Sequence, residues 1–252
     1  MGGKIKRGQV TIFILLGILI VVGIVFMFSF KDGITNLFRE DLDINSEIQQ
    51  CIEEGVTQEI NNILETGGKP ESNLKINNLG VNYTYVCYQK SNYLTCVNLN
   101  PAPISSAESL LKKKTEEKTK ECFSRALDKM SDEGYKIEEK ELKYSIALVP
   151  SSILISIKKP LSFSKEESTK VFEDFSFEVK SKLYDILNLV REIINQESQY
   201  CYFDYVGLMA LYPEFKITRT NIDGSRLYTI KNKLTNEEIK FAVRGCAIPQ
   251  GI

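Results

Sequence analysis

From Val10 to Phe30 the chain runs for 21 residues without a charge, VTIFILLGILIVVGIVFMFSF. A helix rising about 1.5 Å per residue covers roughly 31 Å in that span, which matches the hydrocarbon core of a bilayer. A cleaved secretory signal has an apolar core of only about 7–15 residues with an Ala-x-Ala-like site behind it. Neither feature is present, so residues 9–30 read as a retained single transmembrane helix. Lys4, Lys6 and Arg7 precede the run, whereas Lys31, Asp32, Arg39, Glu40, Asp41 and Asp43 follow it. The basic excess on the N-terminal side makes residues 1–8 a cytoplasmic tip and places the rest of the chain outside the cell. The lipid bilayer is thus the first partner that the sequence implies.

Charge and composition then narrow the chemistry. Lys and Arg total 32 against 33 Asp and Glu; without the three basic residues of the tip, 29 face 33, leaving residues 31–252 at −4. An acidic exterior offers no attraction to a phosphate backbone, and no basic patch stands out, so no nucleic-acid partner is expected. The chain has no His, which removes the commonest metal ligand, the usual general base near neutral pH and the central member of Ser-His-Asp or Cys-His sites. No cofactor is expected.

Lys6-Arg7-Gly8-Gln9-Val10-Thr11-Ile12-Phe13, running straight into the apolar segment, resembles the class III signal peptide of archaeal type IV pilin-like proteins. The resemblance implies cleavage by a prepilin-type peptidase between Gly8 and Gln9, with the apolar helix kept on the mature protein. Filament-forming pilins often carry Glu at the fifth mature position, where this chain has Phe13. That carboxylate would neutralise a neighbouring subunit's terminal amine inside an apolar bundle. Further on, an amphipathic helix carrying Cys51-Ile52-Glu53-Glu54 that ends in Gly67-Gly68, a hairpin, a Lys/Glu-rich helix with Cys122 and the β-rich segments after it have a weaker likeness to single-pass surface proteins of small-genome archaea, and that likeness brings no activity with it.

The exterior part reads as a juxtamembrane stalk over 31–44 and an α+β domain over 45–252, with about three helices packed on antiparallel hairpins. The first helix opens at Asn45 or Ser46, with Ser46-x-x-Gln49 as a capping box, and stops at Gly67-Gly68. A hairpin over Val81–Tyr88 and Tyr93–Val97, turning at Ser91-Asn92, places Cys87 opposite Cys96. After Pro101-Ala102-Pro103, Ser105-x-x-Glu108 caps a second helix that runs to about Met130, its Lys/Glu-rich middle a solvated face. Glu141–Val149 and Ile153–Lys159 form a further hairpin, Lys180–Glu197 a third helix, and Phe215–Asn221, Arg226–Ile230 and Ile239–Gly245 a meander turning at Asp223-Gly224.

All six Cys lie outside the membrane in this topology, and an even count there points to disulfides. Of fifteen connectivities, strand register favours Cys87–Cys96. Apolar helix faces favour Cys51–Cys122, which leaves Cys201–Cys246 by elimination. No Cys-x-x-Cys pair exists to hold zinc, so no metal site is expected. Asn82-Tyr83-Thr84 is an N-glycosylation sequon. With 33 acids, chance alone brings some pair within the roughly 5–10 Å that glycoside hydrolysis needs, and no motif singles one out. The sequence therefore points to a non-catalytic, membrane-anchored cell-surface protein with a structural, adhesive or pilin-like role and other surface proteins as partners. The alternative is a tethered solute- or glycan-binding receptor, or an acid-catalysed glycan hydrolase.

Overall fold

The computed structural model describes residues 45–69, 72–166 and 168–248. The chain divides into two units, Met1–Ile48 and Gln49–Ile252; the second is described below. Helix α1 covers residues 45–65. From Ile52 onward its apolar residues recur at helical spacing, and Ile52, Val56, Ile60, Ile63 and Leu64 are all buried. It stops where the amides of Gly67 and Gly68 donate back to the carbonyls of Leu64 and Ile63. Gly67 has φ +68°, and a Cβ there would lie 2.8 Å from the Lys240 carbonyl oxygen, so only glycine fits.

Strands β1 (Lys75–Asn78), β2 (Val81–Tyr88) and β3 (Val97–Asn98) precede α2 (Pro103–Asp132). Strands β4 (Lys136–Glu139), β5 (Lys143–Val149), β6 (Ser152–Lys165) and β7 (Ser168–Lys180) follow, then α3 (Leu183–Tyr200) and α4 (Tyr205–Leu211). The chain closes with β8 (Phe215–Ile222), β9 (Ser225–Asn232) and β10 (Glu238–Arg244). Two sheets result. One has six strands in the order β1-β2-β10-β9-β8, with β3 beside β1 on the same edge of β2; the other has four, with β6 between β7 and the end-to-end pair β4 and β5. Helix α3 touches β2, β3 and β10 of the first sheet and also α2 and β5, while α2 lies on β4 and β5 of the second.

This corrects the expected architecture of about three helices packed on antiparallel hairpins. The described residues form four helices and ten strands in two sheets, and β10 joins β2 in parallel. The transmembrane helix expected over 9–30 and the stalk over 31–44 lie outside the described residues. Among those residues no helix is long and apolar enough to cross a membrane.

The differences have local causes. Strand β7 escapes a period-two reading because β6 bulges between Lys158 and Leu161, at Lys159-Pro160. Opposite the bulge Glu173 and Asp174 are both exposed in succession, so Phe175 and Val179 face inward on one parity and Phe172 on the other. The second helix starts at Pro103, favoured in the first turn because it has no N–H to leave unsatisfied. The box expected at Ser105 and Glu108 does not form, and the Glu108 carboxylate instead accepts the Leu148 amide at 2.9 Å. In the charged middle of α2, Thr115 and Thr119 are buried. Their hydroxyls donate to the carbonyls of Leu111 and Thr115, so burial leaves no orphaned donor.

The first hairpin also departs from its expected register. Cys87 stands opposite Asn98, not Cys96, because the segment between β2 and β3 is held by the C-terminal chain instead of pairing with β2. The Gln89 amide donates to the Arg244 carbonyl, Tyr93 to Ala247, and Cys246 to Leu94. Three disulfides consume all six cysteines: Cys51–Cys122 with Cα atoms 5.9 Å apart, Cys87–Cys96 at 5.4 Å and Cys201–Cys246 at 5.9 Å. Cα separations of this size suit a bridge without backbone movement.

The sequence separations are 71, 9 and 45 residues. Loop-closure entropy then ranks the bridges, with about 4 kcal/mol expected for each long one and about 2.6 kcal/mol for Cys87–Cys96. Paired Cys→Ser variants unfolded in urea without reductant should reproduce that order, with the Cys87/Cys96 pair the mildest.

Candidate functional site

The inner face of the six-stranded sheet changes character along its strands. Phe215, Ile217, Tyr228, Ile230, Ile239 and Phe241 are buried. Strand alternation then brings Arg219 and Asn221 onto the same face as Ile217, and register sets Arg219 beside Tyr228 and Asn221 beside Arg226. The apolar floor thus runs into two guanidinium groups where α3 ends. The turn from β8 to β9, Asp223-Gly224, has φ 48° and 73° and makes the two-residue connection that keeps this register.

Two of these side chains, Tyr228 and Arg226, form a buried network with α3. Glu197 is fully buried near the end of that helix. The Tyr228 hydroxyl donates to its Oε1. Nη2 of Arg226 lies 2.9 Å from its Oε2 and donates to the Gly245 carbonyl at 3.0 Å. Burial pushes the Tyr228 phenol well above its usual range, because a phenolate would be desolvated there and would face the Glu197 carboxylate. Arg219 stands with its guanidinium carbon 5.0 Å from the centre of the Tyr205 ring.

A pocket of about 360 Å³ opens over this end of the sheet, lined by Tyr202, Arg219, Asn221 and Arg226 with the Cys201–Cys246 disulfide and Ile248 at its wall. The disulfide joins the residue after α3 to the one after Gly245, which ties the two sides of the pocket together. Both half-cystines adopt left-handed backbone conformations, φ 54° and 47°. Cys201 is the left-handed cap that ends α3, its amide donating to the Glu197 carbonyl.

A second cleft, about 490 Å³, lies between α2 and the β4–β5 edge and is lined among others by Phe123, Asp128, Glu139, Glu141 and Lys159. Lys159 continues the inward parity of Ile153, Ile155 and Ile157 and is 8 % exposed. Its Nζ is paired with Glu139 and sits 5.8 Å from the centre of the Phe123 ring. The ammonium is therefore already matched by one carboxylate and one ring face. This pairing makes the cleft a satisfied structural joint at the β6 bulge.

Of the residues singled out in the sequence, the six cysteines are brought together in the three favoured pairs. Asn82 is exposed on β2, where its Oδ1 accepts from the Asn77 amide at 2.9 Å. Gly8 and Gln9 lie outside the described residues. Glu197, Arg219, Arg226 and Lys159 were missed. Their signal was the alternation of Phe215, Ile217, Arg219 and of Ile155, Ile157, Lys159, in which a charge takes an inward position. Comparison with protein-family models, curated proteins and solved structures finds no match to the chain.

Removing one member of a buried ion pair leaves the other charge uncompensated, at a typical cost of about 3–5 kcal/mol. Glu197→Gln should lose that much in thermal or urea unfolding, because Arg226 is only 16 % exposed at its side chain. The phenols of Tyr85, Tyr144 and Tyr228 are all raised, first by burial, from an ordinary value of 10.0. A raised pKa means that the folded state holds the proton longer, so this stabilisation is complete below about pH 10 and is lost as pH rises above it. Ultraviolet difference titration should show these phenolates appearing late, together with alkaline unfolding.

Proposed function

We propose that the chain is a non-catalytic cell-surface protein with an adhesive or structural role, held at the membrane by the uncharged segment 10–30 with its N terminus in the cytoplasm. The observation that carries this reading is the fate of the cysteines. All six are in disulfides, which suits an extracellular or otherwise oxidising environment. The basic tip Lys4, Lys6 and Arg7 ahead of an uncharged run supplies the orientation. The Gly8-Gln9 junction supplies a cleavage point for a prepilin-type peptidase, and Asn82, exposed and inside a sequon, is open to glycosylation. Phe13 at the fifth mature position would leave a neighbouring subunit's terminal amine without a carboxylate partner, which favours a surface display role over a filament shaft.

The test is made on the native protein in its own cells. Cell fractionation should place it in the membrane, resistant to alkaline carbonate and released by detergent. Protease added to intact cells should degrade the part beyond residue 44, and mass spectrometry should find a terminus at Gln9 or at Met1. Recovery in the soluble cytosolic fraction with free thiols at Cys87 and Cys96 would overturn the proposal.

A further inference from the structure

We infer that the pocket beside the Cys201–Cys246 disulfide is a binding site for the carboxylate of an acidic saccharide. This site names a partner class for the surface role proposed above, and it relies on that reading only for the compartment in which such a ligand is met.

The charge balance of the pocket selects the ligand. Arg219 and Arg226 both line it, and the one carboxylate of Glu197 beneath them pairs with Arg226. The Arg219 guanidinium rests over the Tyr205 ring and hydrogen-bonds the Tyr228 phenol. The pocket therefore carries about one net positive charge, which matches a monoanion better than a phosphate dianion or a polyanion. The planar fork of an arginine pairs with a carboxylate through two parallel N–H donors. The acidic balance of residues 31–252 further disfavours a polyphosphate chain.

Shape and lining point to a sugar as the bearer of that carboxylate. A volume of about 360 Å³ lies at the small end of ligand pockets and suits one or two pyranose rings. Tyr202, at the rim and 60 % exposed, offers an aromatic face to the apolar side of a ring. Asn221 is exposed and offers both a donor and an acceptor to hydroxyl groups. The Cys201–Cys246 bridge joins the two sides of the pocket covalently, which lowers the ordering cost of binding.

Calorimetric titration of the detergent-solubilised full chain is the test, with galacturonic acid, a monoanion of one ring, as the probe and galactose as its neutral counterpart. One site per chain is expected for the acid, with at least ten-fold weaker binding of the neutral sugar. Arg219→Gln should weaken the acid at least ten-fold at unchanged far-ultraviolet circular dichroism. Tyr202→Ala, at an exposed position, should weaken it several-fold whether or not the arginine variant folds. Equal binding of the two sugars, wild-type affinity in Arg219→Gln and Tyr202→Ala, or tighter binding of inorganic phosphate or of vesicles containing phosphatidylglycerol would each overturn the inference. None of these outcomes bears on where the protein resides, which fractionation decides separately.

Discussion

Helix α3 is the element on which the two sheets depend. Leu183, Ile186, Leu187, Leu189, Val190, Ile193 and Ile194 are all buried, and they cover more of the helix surface than a single apolar stripe would. Such a helix cannot rest on one sheet with its other side in water. It is stable only when covered on both sides, by β2, β3 and β10 and by α2 and β5. Each fully buried aliphatic side chain contributes roughly 1.5–3 kcal/mol on transfer from water. The second sheet answers on its own inner face with Tyr144, Ile157 and Phe175 in one row across β5, β6 and β7, and Leu148, Ile153 and Val179 in another.

The same helix carries the transition from core to site. Its apolar residues give way to Glu197 and then to Cys201, and the sheet beneath changes in step from Ile217 and Ile230 to Arg219 and Arg226. A carboxylate buried at that point would be costly without a matching cation, and Arg226 is held there by register with Asn221. Packing, charge balance and the disulfide thus converge on one end of the domain. The Lys159 cleft uses the same device to a different end: a buried ammonium is matched by Glu139 and the Phe123 ring, and the charge is spent within the joint.

Much of the secondary structure was legible because it rests on local patterning. The apolar stripe of α1, the Asp223-Gly224 turn, the β8–β10 meander and the β5–β6 turn follow from spacings of three to four or of two and from turn chemistry. Strand β4 was missed because KIEE has a single apolar residue and takes its place from β6. Strand β7 was missed because the bulge opposite it interrupts its alternation. The site was half legible. Its cysteines could be counted and paired, but Arg219 and Arg226 are unremarkable in a strand until the direction of the inner face is known.

The sequence by itself determined the basic excess ahead of the uncharged run, the even set of cysteines and the local elements, since each of these can be read along the chain. Only the tertiary structure decided that β10 pairs with β2 in parallel, that Cys87 lies opposite Asn98, and that Glu197 meets Arg226. These are meetings of distant segments: they depend on how the two sheets share α3, and no spacing along the chain encodes them.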